Sequence, residues 1–125
     1  KFICEDVFEL LPELEKKGEK YDVVILDPPA FTKSRNSIKN AVRGYREINL
    51  RAMKLVKDRG FLATCSCSHF MDYELFTQTI GQAARNAHKR LRQVEFRTQA
   101  ADHPILWGAG DSYYLKFYIF QVCEE

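Results

Sequence analysis

The chain has 125 residues, a net charge of +2, and 46% hydrophobic, 29% charged and 13% aromatic residues. At roughly 100–200 residues per domain, this length gives one domain with a normal buried core, and the composition excludes a disordered, collagen-like or disulfide-dense chain. The longest apolar stretch, around residues 23–26, is far shorter than the ~20 residues of a membrane helix, and the first residues are not a signal peptide. They lack an initiator Met and already have the pattern of a strand, so we expect the chain to be a piece of a longer protein.

The four cysteines are too few for a disulfide scaffold, and none of them forms a C-x-x-C pair. A reducing, cytoplasmic setting is therefore expected. Cys4 and Cys123 lie in apolar runs, where a small buried side chain is the ordinary interpretation.

Positive charge is concentrated in residues 33–59, which hold nine Lys and Arg against two acidic residues. Residues 1–22, in contrast, hold seven acidic and four basic side chains. The basic segment is either a solvated helix face or a surface that neutralises the phosphates of a polyanion.

The first half of the chain has a strand, helix, strand pattern. Phe2-Ile3-Cys4 is predicted to be the end of a strand, and the apolar spacing between residues 7 and 14 predicts a helix that stops at Gly18. Tyr21–Asp27 is a short β-branched run followed by two prolines, which predicts a buried parallel strand.

The second half continues the alternation and ends in a hairpin. An apolar stripe over residues 45–56 predicts a helix that closes near Gly60, and Phe61–Cys65 is predicted to be the next buried strand. A further helix is expected over residues 75–87 with Asp72 as its N-cap. The last two predicted strands, residues 93–98 and 113–122, are joined by a loop and should be antiparallel neighbours.

This order predicts an open, mostly parallel, three-layer α/β sheet with an antiparallel strand near one edge. Ligands of such sheets bind beyond the carboxyl ends of the strands. Three segments fall there: Asp6, residues 27–31 and residues 65–69.

The segment Asp27-Pro28-Pro29 has a stiff backbone because both prolines fix φ and neither has an N–H. The Asp27 carboxylate and the proline carbonyls are then acceptors that suit a planar, amino-bearing base. An Asp that merely caps a turn is the alternative.

Cys65 and Cys67 are two residues apart at the end of a strand and face the same way if the strand continues. One of them can be a nucleophile if nearby cations, such as His69 or the basic segment, favour its thiolate. Two ordinary buried thiols fit the spacing equally well. A metal site through Cys65, Cys67 and His69 lacks a fourth nearby ligand.

Two motifs in the long loop point only weakly to a site. Gly108-Ala-Gly110 opens no helix and is interpreted as a turn, not a phosphate cradle. His103 is either a polar wall of the site or a turn residue.

Asp27-Pro28-Pro29-Ala30-Phe31 together with the residues 64–68, TCSCS, resembles the class I S-adenosylmethionine-dependent methyltransferases. The chain is more narrowly similar to the bacterial family that methylates C5 of a cytosine in large-subunit ribosomal RNA. Three further segments strengthen that resemblance: residues 43–52, residues 99–105 and Tyr114-Leu-Lys116. The resemblance covers essentially the whole chain and implies that residues 1–125 are the C-terminal portion of a Rossmann-like catalytic domain.

The resemblance implies that Cys67 is the nucleophile, because it matches the family's cysteine when counted from Gly60. Its thiolate would add to C6 of cytosine, which makes C5 nucleophilic enough to accept a methyl group. Asp27, if partly protonated or bridging a proton, would bind the N3 and amino edge of the base and stabilise charge that develops on the ring. Related enzymes carry a second cysteine where this chain has Ala30, so the usual thiol for product release is missing.

The resemblance also implies an S-adenosylmethionine site and an RNA site. The expected cofactor-binding residues are Asp6, Val7, Asp27 and Pro29, with Asp6 accepting from the adenine amino group. The expected substrate-binding residues are Pro28, Pro29, Phe31, Lys33, Arg35, Arg43 and His103. No metal is expected.

The family's glycine-rich cofactor loop is absent, since all six glycines lie elsewhere. The family's sheet has the strand order 3-2-1-4-5-7-6, and this chain supplies strand 3 and strands 4 to 7. The isolated chain is therefore expected to bind S-adenosylmethionine weakly or not at all and to be inactive. Strand 21–27 would then expose an apolar edge, which a second copy or another segment can cover.

Two alternatives remain open at this point. A methyltransferase that acts on a guanine nitrogen, or on another nucleic-acid position, shares the Asp-Pro-Pro loop but needs no thiol. A non-catalytic RNA-binding module would keep the fold and the basic face, and would bind RNA in a salt-sensitive manner without the cofactor.

Overall fold

The computed structural model of the chain describes residues 1–31 and 35–125 and contains one four-stranded sheet packed against helices. In chain order the elements are α1 (Val7–Lys16), β1 (Tyr21–Leu26), a 3-10 turn (Arg35–Ser37), α2 (Ile38–Leu55), β2 (Val56–Ser66), α3 (Tyr73–Ala87), β3 (Lys89–Arg97), a second 3-10 turn (Gly110–Ser112) and β4 (Lys116–Glu124). Among the described residues, no helix is long and apolar enough to cross a bilayer.

The strands lie in the order β1-β2-β4-β3. β1 and β2 are parallel, and β4 pairs antiparallel with both β2 and β3. The predicted alternation of strands and helices and the terminal antiparallel pair are therefore confirmed. Within this mixed sheet β1, β2 and β3 run in one direction and β4 runs against them between β2 and β3, which is the predicted antiparallel strand near one edge.

Local signals explain the helix ends. Asp72 is the N-cap of α3, where its carboxylate accepts from the Leu75 N–H at 2.8 Å, as predicted. Gly18 follows α1 with a φ of 75°, the left-handed conformation that glycine adopts readily, which confirms the predicted stop.

The predicted end of α2 near Gly60 is wrong, because the helix ends at Leu55 and β2 begins with the next residue. Gly60 lies inside β2 instead, at an irregularity where Arg59 has a φ of 69°. A Cβ at Gly60 would stand 2.8 Å from the Asp22 carbonyl oxygen and 2.7 Å from a Val56 methyl carbon. The glycine thus marks a close approach of two strands and not a helix terminus.

Two predictions about the first strands also need correction. Phe2-Ile3-Cys4 forms no strand, since it has no strand to pair with among the described residues, and Phe2 is fully exposed. β1 is not buried: Val23 is 55% and Ile25 71% exposed, because β1 is an edge strand and one of its faces lies open. The expectation of an exposed apolar edge is thereby confirmed.

The core lies between the sheet and the helices. α2 packs on β1 and β2, α3 packs on β3, and α1 and α3 flank α2. The described residues therefore supply one helical layer, and the second layer of the predicted three-layer arrangement is not among them. The core is formed by apolar side chains of α2, α3, β2 and β4, with Tyr45, Leu62, Phe76, Tyr118 and Val122 among its most buried members.

Candidate functional site

The topology brings two of the three predicted segments to one edge of the sheet. Because β1 and β2 are parallel and Leu26 pairs with Thr64, both strands end at the same edge of the sheet. Asp27 directly follows β1 at this edge, and Cys67 directly follows β2.

A cleft of about 320 Å³ lies beside the end of β1 and unites most of the predicted cofactor and base contacts. This volume is at the lower end of the range for small-molecule sites. The lining residues are Asp6, Val7, Phe8, Ile25, Leu26, Asp27, Pro28, Pro29, Phe31 and Ile48. Apart from two carboxylates the wall is apolar, which suits a flat ring held by a few polar contacts.

Asp6 has a structural role in addition to its place in the cleft. It is the N-cap of α1, and one of its carboxylate oxygens accepts from the Phe8 N–H at 2.9 Å. A carboxylate has about four acceptor positions, so Asp6 can also accept from an amino group in the cleft.

Phe31 anchors the Asp-Pro-Pro loop to the helices. Its ring meets the Tyr45 ring edge-on at 4.7 Å and lies 5.9 Å from the Phe8 ring. A Cβ at Gly44 would come within 3.3 Å of the Phe31 ring, so the ring would have to shift by a few tenths of an ångström to admit an alanine there. Phe31 thus contributes one side to the cleft and packs with the other against α1 and α2.

Cys65 is bound to the Asp27 loop and is not a free nucleophile. Only 7% of the residue is exposed, and its thiol donates toward the Asp27 carboxylate at 3.4 Å and the Leu26 carbonyl at 3.5 Å. Burial and the hydrogen bond to Asp27 raise the pKa of Cys65 to about 12, so the thiol stays protonated at neutral pH. The structure thereby distinguishes the two cysteines on physical grounds, which their spacing left open.

Cys67 is exposed, and both of its neighbours are buried and held in place. The Ser66 hydroxyl donates to the Tyr45 hydroxyl at 3.0 Å, and the Ser68 carbonyl accepts from the Lys116 ammonium at 2.6 Å. Cys67 therefore lies between two fixed residues, an arrangement that presents its thiol at the edge of the sheet.

A buried polar network ties α2 to β2 beneath these cysteines. The Thr64 hydroxyl donates to the Asn49 side-chain oxygen at 2.7 Å, and the Asn49 amide donates to the Tyr45 carbonyl at 2.8 Å. Sequence patterns alone do not predict this network. The pattern that indicates it is a pair of polar residues four apart on α2, Tyr45 and Asn49, together with a pair two apart on β2, Thr64 and Ser66.

The basic segment divides into two parts. Four of its cations have polar partners: Arg46 with Gln82, Arg51 with Glu47, Lys54 with Glu15 and Lys57 with Asp22. Lys39 and Arg43, in the first half of α2, are exposed. Since α2 begins at the site edge of the sheet, these two cations lie on the half of the helix that is nearer to the cleft. Lys33 lies outside the described residues, as does the side chain of Arg35.

His103 is not brought into the cleft. It is exposed on the loop between β3 and β4, with its Nδ1 atom 3.2 Å from the neighbouring Asp102 carboxylate, which lowers the pKa of Asp102. Its ring lies 6.4 Å from that of Tyr114. Gly108 has a φ of 87° in this loop, in keeping with the predicted turn.

A larger depression of about 710 Å³ lies at the opposite end of the sheet, beside Arg59, Arg90 and Arg92. None of the predicted site residues lines it, so the cleft beside β1 remains the candidate site. Within residues 1–31 and 35–125, no cluster of three or more His, Cys, Asp or Glu side chains is arranged to hold a metal.

No protein-family model matches the chain. Two curated relatives are both named ribosomal RNA large subunit methyltransferase I. The Aliivibrio fischeri protein is 43% identical over 121 residues, which is 97% of this chain and 31% of the relative. The Tolumonas auensis protein is 44% identical over 116 residues, which is 93% of this chain and 29% of the relative. The chain therefore spans about a third of the length of the curated relatives it matches.

Solved structures show the same fold at low sequence identity. The structure of SMU.776, a protein named as a methyltransferase, was solved in complex with SAH. It superposes on this chain with a TM-score of 0.79 at 18% identity, over 94% of this chain and 30% of its own. A methyltransferase homolog protein from Pyrococcus horikoshii gives 0.62 at 16% identity, over 98% of this chain and 44% of its own. The chain has the Rossmann-like α/β fold of these structures.

Proposed function

We propose that this chain is the C-terminal part of a methyltransferase catalytic domain that transfers a methyl group from S-adenosylmethionine to C5 of a cytosine in large-subunit ribosomal RNA. The observation that carries the proposal is the exposed Cys67 thiol, which lies between two anchored serines at the same edge of the sheet as Asp27. A nucleophilic thiol beside a base-binding carboxylate is the chemistry that C5 methylation of cytosine needs.

The sequence relatives support the choice of RNA as substrate. Both named relatives are ribosomal RNA large subunit methyltransferases and match more than nine-tenths of this chain. The chain matches only about a third of each relative, so the activity, substrate and partners of the whole protein are part of this proposal.

Cys67 and Asp27 would divide the chemistry between them. The Cys67 thiolate adds to C6, an S–C6 bond forms, and the ring electrons move to C5. C5 then bonds to the methyl carbon as the carbon–sulfur bond of the donor breaks. The C5 proton finally passes to a base and the S–C6 bond breaks, which restores the ring and the thiolate. Asp27 accepts from the cytosine amino group and shares a proton with N3, which stabilises the negative charge that develops on the ring.

The cleft fits the cofactor that the fold implies. S-adenosylmethionine supplies an electrophilic methyl group and carries an adenine with an exocyclic amino group. Asp6 offers a carboxylate for that amino group, and the apolar surfaces of Val7 and Pro29 suit the ring. We propose that the remaining contacts, including a glycine-rich loop, come from residues outside this chain.

The RNA would approach over the first half of α2. Lys39 and Arg43 are exposed there and can neutralise backbone phosphates, while the target base leaves its stack to enter the cleft. Lys33, Arg35 and His103 remain proposed contacts of the flanking RNA.

Methyl transfer by the full-length protein tests this proposal. The substrate is large-subunit ribosomal RNA that lacks the modification, and mass spectrometry of digested nucleosides locates the added methyl group. We expect 5-methylcytidine from the wild type and a loss of at least about 10³-fold in Cys67→Ala, because C5 is a poor nucleophile without the adduct. Cys123→Ala, a cysteine at the far end of β4, is the matched control and should be unaffected.

Other outcomes would identify the alternatives. Methylguanosine formation that survives Cys67→Ala would support a guanine-nitrogen methyltransferase. RNA binding that weakens with salt, with no methylation and no cofactor affinity in the intact protein, would support a non-catalytic RNA-binding module.

A covalent trap tests the thiol step separately. RNA that contains 5-fluorocytidine can accept the thiolate and the methyl group, but the fluorine at C5 cannot leave as a proton, so the adduct persists. We expect a crosslinked peptide at Cys67 in the wild type and none in Cys67→Ser. A crosslink at Cys65 instead would overturn the assignment of the nucleophile.

A further inference from the structure

Lys116 is the one described lysine that is fully buried: 0% of the residue is exposed. Its ammonium donates to the Ser68 carbonyl at 2.6 Å and to the Tyr114 carbonyl at 2.7 Å, and lies 5.9 Å from the centre of the Tyr113 ring. A buried lysine is costly unless its charge is well accommodated, so this position invites a functional explanation.

The strand register places Lys116 beside the candidate nucleophile. Lys116 opens β4 directly opposite Ser66, the residue before Cys67. The carbonyl that it binds belongs to Ser68, the residue after Cys67. Lys116 therefore spans the backbone turn that carries the exposed thiol.

The charges around Lys116 favour its protonated form, while burial opposes it. Burial lowers the pKa of Lys116 to about 8, and negative charge at Cys67 and Asp72 acts in the opposite direction. The Tyr113 ring also lies near the ammonium, and the Tyr113 phenol in turn interacts with Tyr73 and Asp72. At pH 7 Lys116 is thus mostly charged, and negative charge at Cys67 or Asp72 favours that state.

We propose that Lys116 is a positioning residue for Cys67, which fixes the 66–68 turn through the Ser68 carbonyl and holds a positive charge next to the thiol so that the thiolate is favoured. This inference rests on the proposed function, because it assigns Lys116 to the same nucleophile. Lys116 acts through Cys67 and does not itself contact the base.

A purely structural role predicts a different behaviour. If Lys116 only filled space and closed the turn, a methionine of similar length would leave the reactivity of Cys67 unchanged once the protein was folded. If the charge matters, Lys116→Met must make Cys67 less reactive at neutral pH, and the effect must shrink as the pH rises and deprotonates the thiol without help.

The test measures the alkylation of Cys67 by iodoacetamide in the full-length protein between pH 6 and 10. Trypsin releases residues 60–85 as one peptide, and its fragment ions distinguish Cys67 from Cys65. We expect Lys116→Met to slow alkylation of Cys67 at pH 7 by about three- to tenfold, as the loss of a nearby opposite charge does. The same variant should lower kcat of methyl transfer more than it changes KM.

Lys89→Met is the matched control. Lys89 lies on the same sheet, its side chain is only 8% exposed, and it pairs with Glu124 at 2.7 Å, away from the site edge. We expect its alkylation profile to equal that of the wild type. Lys116→Arg keeps the charge and should retain a rate within about twofold of the wild type. A folded Lys116→Met protein with the wild-type profile overturns the proposal, and so does a folded Lys116→Arg protein that is as slow as Lys116→Met.

A measurement on the wild type needs no variant to fold. The electrostatic coupling of two groups is reciprocal, so blocking the Cys67 thiol must make Lys116 easier to deprotonate. NMR of 15N-labelled lysine side chains should show the Lys116 titration midpoint falling after alkylation of Cys67, and an unchanged midpoint overturns the proposal. Neither assay needs cofactor or RNA, so failed methylation would reject the proposed function without deciding the charge coupling.

Discussion

The loops that follow β1 and β2 lie side by side at the site edge but are stiffened by different forces. In the first loop, residues 27–31, two prolines fix the backbone and the Phe31 ring packs on Tyr45. In the second loop, residues 67–72, the Ser68 carbonyl is held by the Lys116 ammonium, and Ser66 before the loop is held by a hydroxyl. Apolar packing suits the wall of a cleft, and a charged group that holds the backbone suits a residue that carries negative charge in the proposed reaction.

Cys65 at the end of β2 and Cys67 directly after the strand provide the sharpest test of this comparison. Cys65 is bound to the first loop through Asp27, whereas Cys67 begins the second loop. Since the pKa of Cys65 is raised to about 12, its thiolate is scarce at pH 8, and burial restricts access as well. We expect iodoacetamide to alkylate Cys67 at least about 100-fold faster than Cys65, as measured on the peptide of residues 60–85.

Unfolding in urea is the control for that ratio. Both thiols should then react at similar rates, because burial and the contact with Asp27 are lost. Comparable rates in the folded protein would mean that the two cysteines share one environment, and the separation of the two loops would be wrong.

The sequence was sufficient for the elements that depend on local signals. The stop at Gly18, the Asp72 cap and the antiparallel terminal strands each follow from a short pattern, and all three are observed. Gly60 was misinterpreted because a glycine before a strand fits either a helix end or a close approach, and only the Asp22 carbonyl 2.8 Å from its missing Cβ distinguishes the two.

Sequence patterns do not predict contacts between residues that are far apart in the chain. Lys116 reads as one position of an aromatic strand, and its role depends on the register that sets it opposite Ser66. In the same way, the spacing of Cys65 and Cys67 does not show which thiol is buried. The hydrogen bond from Cys65 to Asp27, 38 residues away in the sequence, distinguishes the two. The burial of β1 was overestimated because an apolar run does not reveal whether its second face is covered.

Stability measured at two pH values separates the two loops by their chemistry. Phe31→Ala removes apolar contacts and should lower the free energy of unfolding by about 2 kcal/mol at both pH 7.5 and pH 9.5. Lys116→Met should behave differently. Because the pKa of Lys116 is about 8 in the folded protein and near 10.5 when unfolded, the folded state binds fewer protons between these values.

The sign follows from that proton balance. Raising the pH through this window therefore increases the free energy of unfolding of the wild type, because Lys116 loses its proton more readily in the folded state. Lys116→Met has no such group and gains nothing. The deficit of the variant in unfolding free energy should thus be about 2 kcal/mol larger at pH 9.5 than at pH 7.5. Chemical denaturation of the three proteins at both pH values gives these differences. A pH-independent effect of Lys116→Met would show that the ammonium is not buried as described.

Tyr45 connects the two loops, and its hydroxyl provides the smallest and most specific test. The ring packs on Phe31, and the hydroxyl accepts from Ser66 at 3.0 Å and hydrogen-bonds the Phe31 backbone. Tyr45→Phe keeps the ring and removes these bonds, which should cost about 1 kcal/mol of unfolding free energy. Hydrogen exchange should become faster at the amides of Phe31 and Ser68 together.

Tyr21→Phe, at the exposed start of β1, is the control and should change neither the unfolding free energy nor the exchange rates. Faster exchange in only one of the loops would mean that they are held independently, with Tyr45 serving one of them alone.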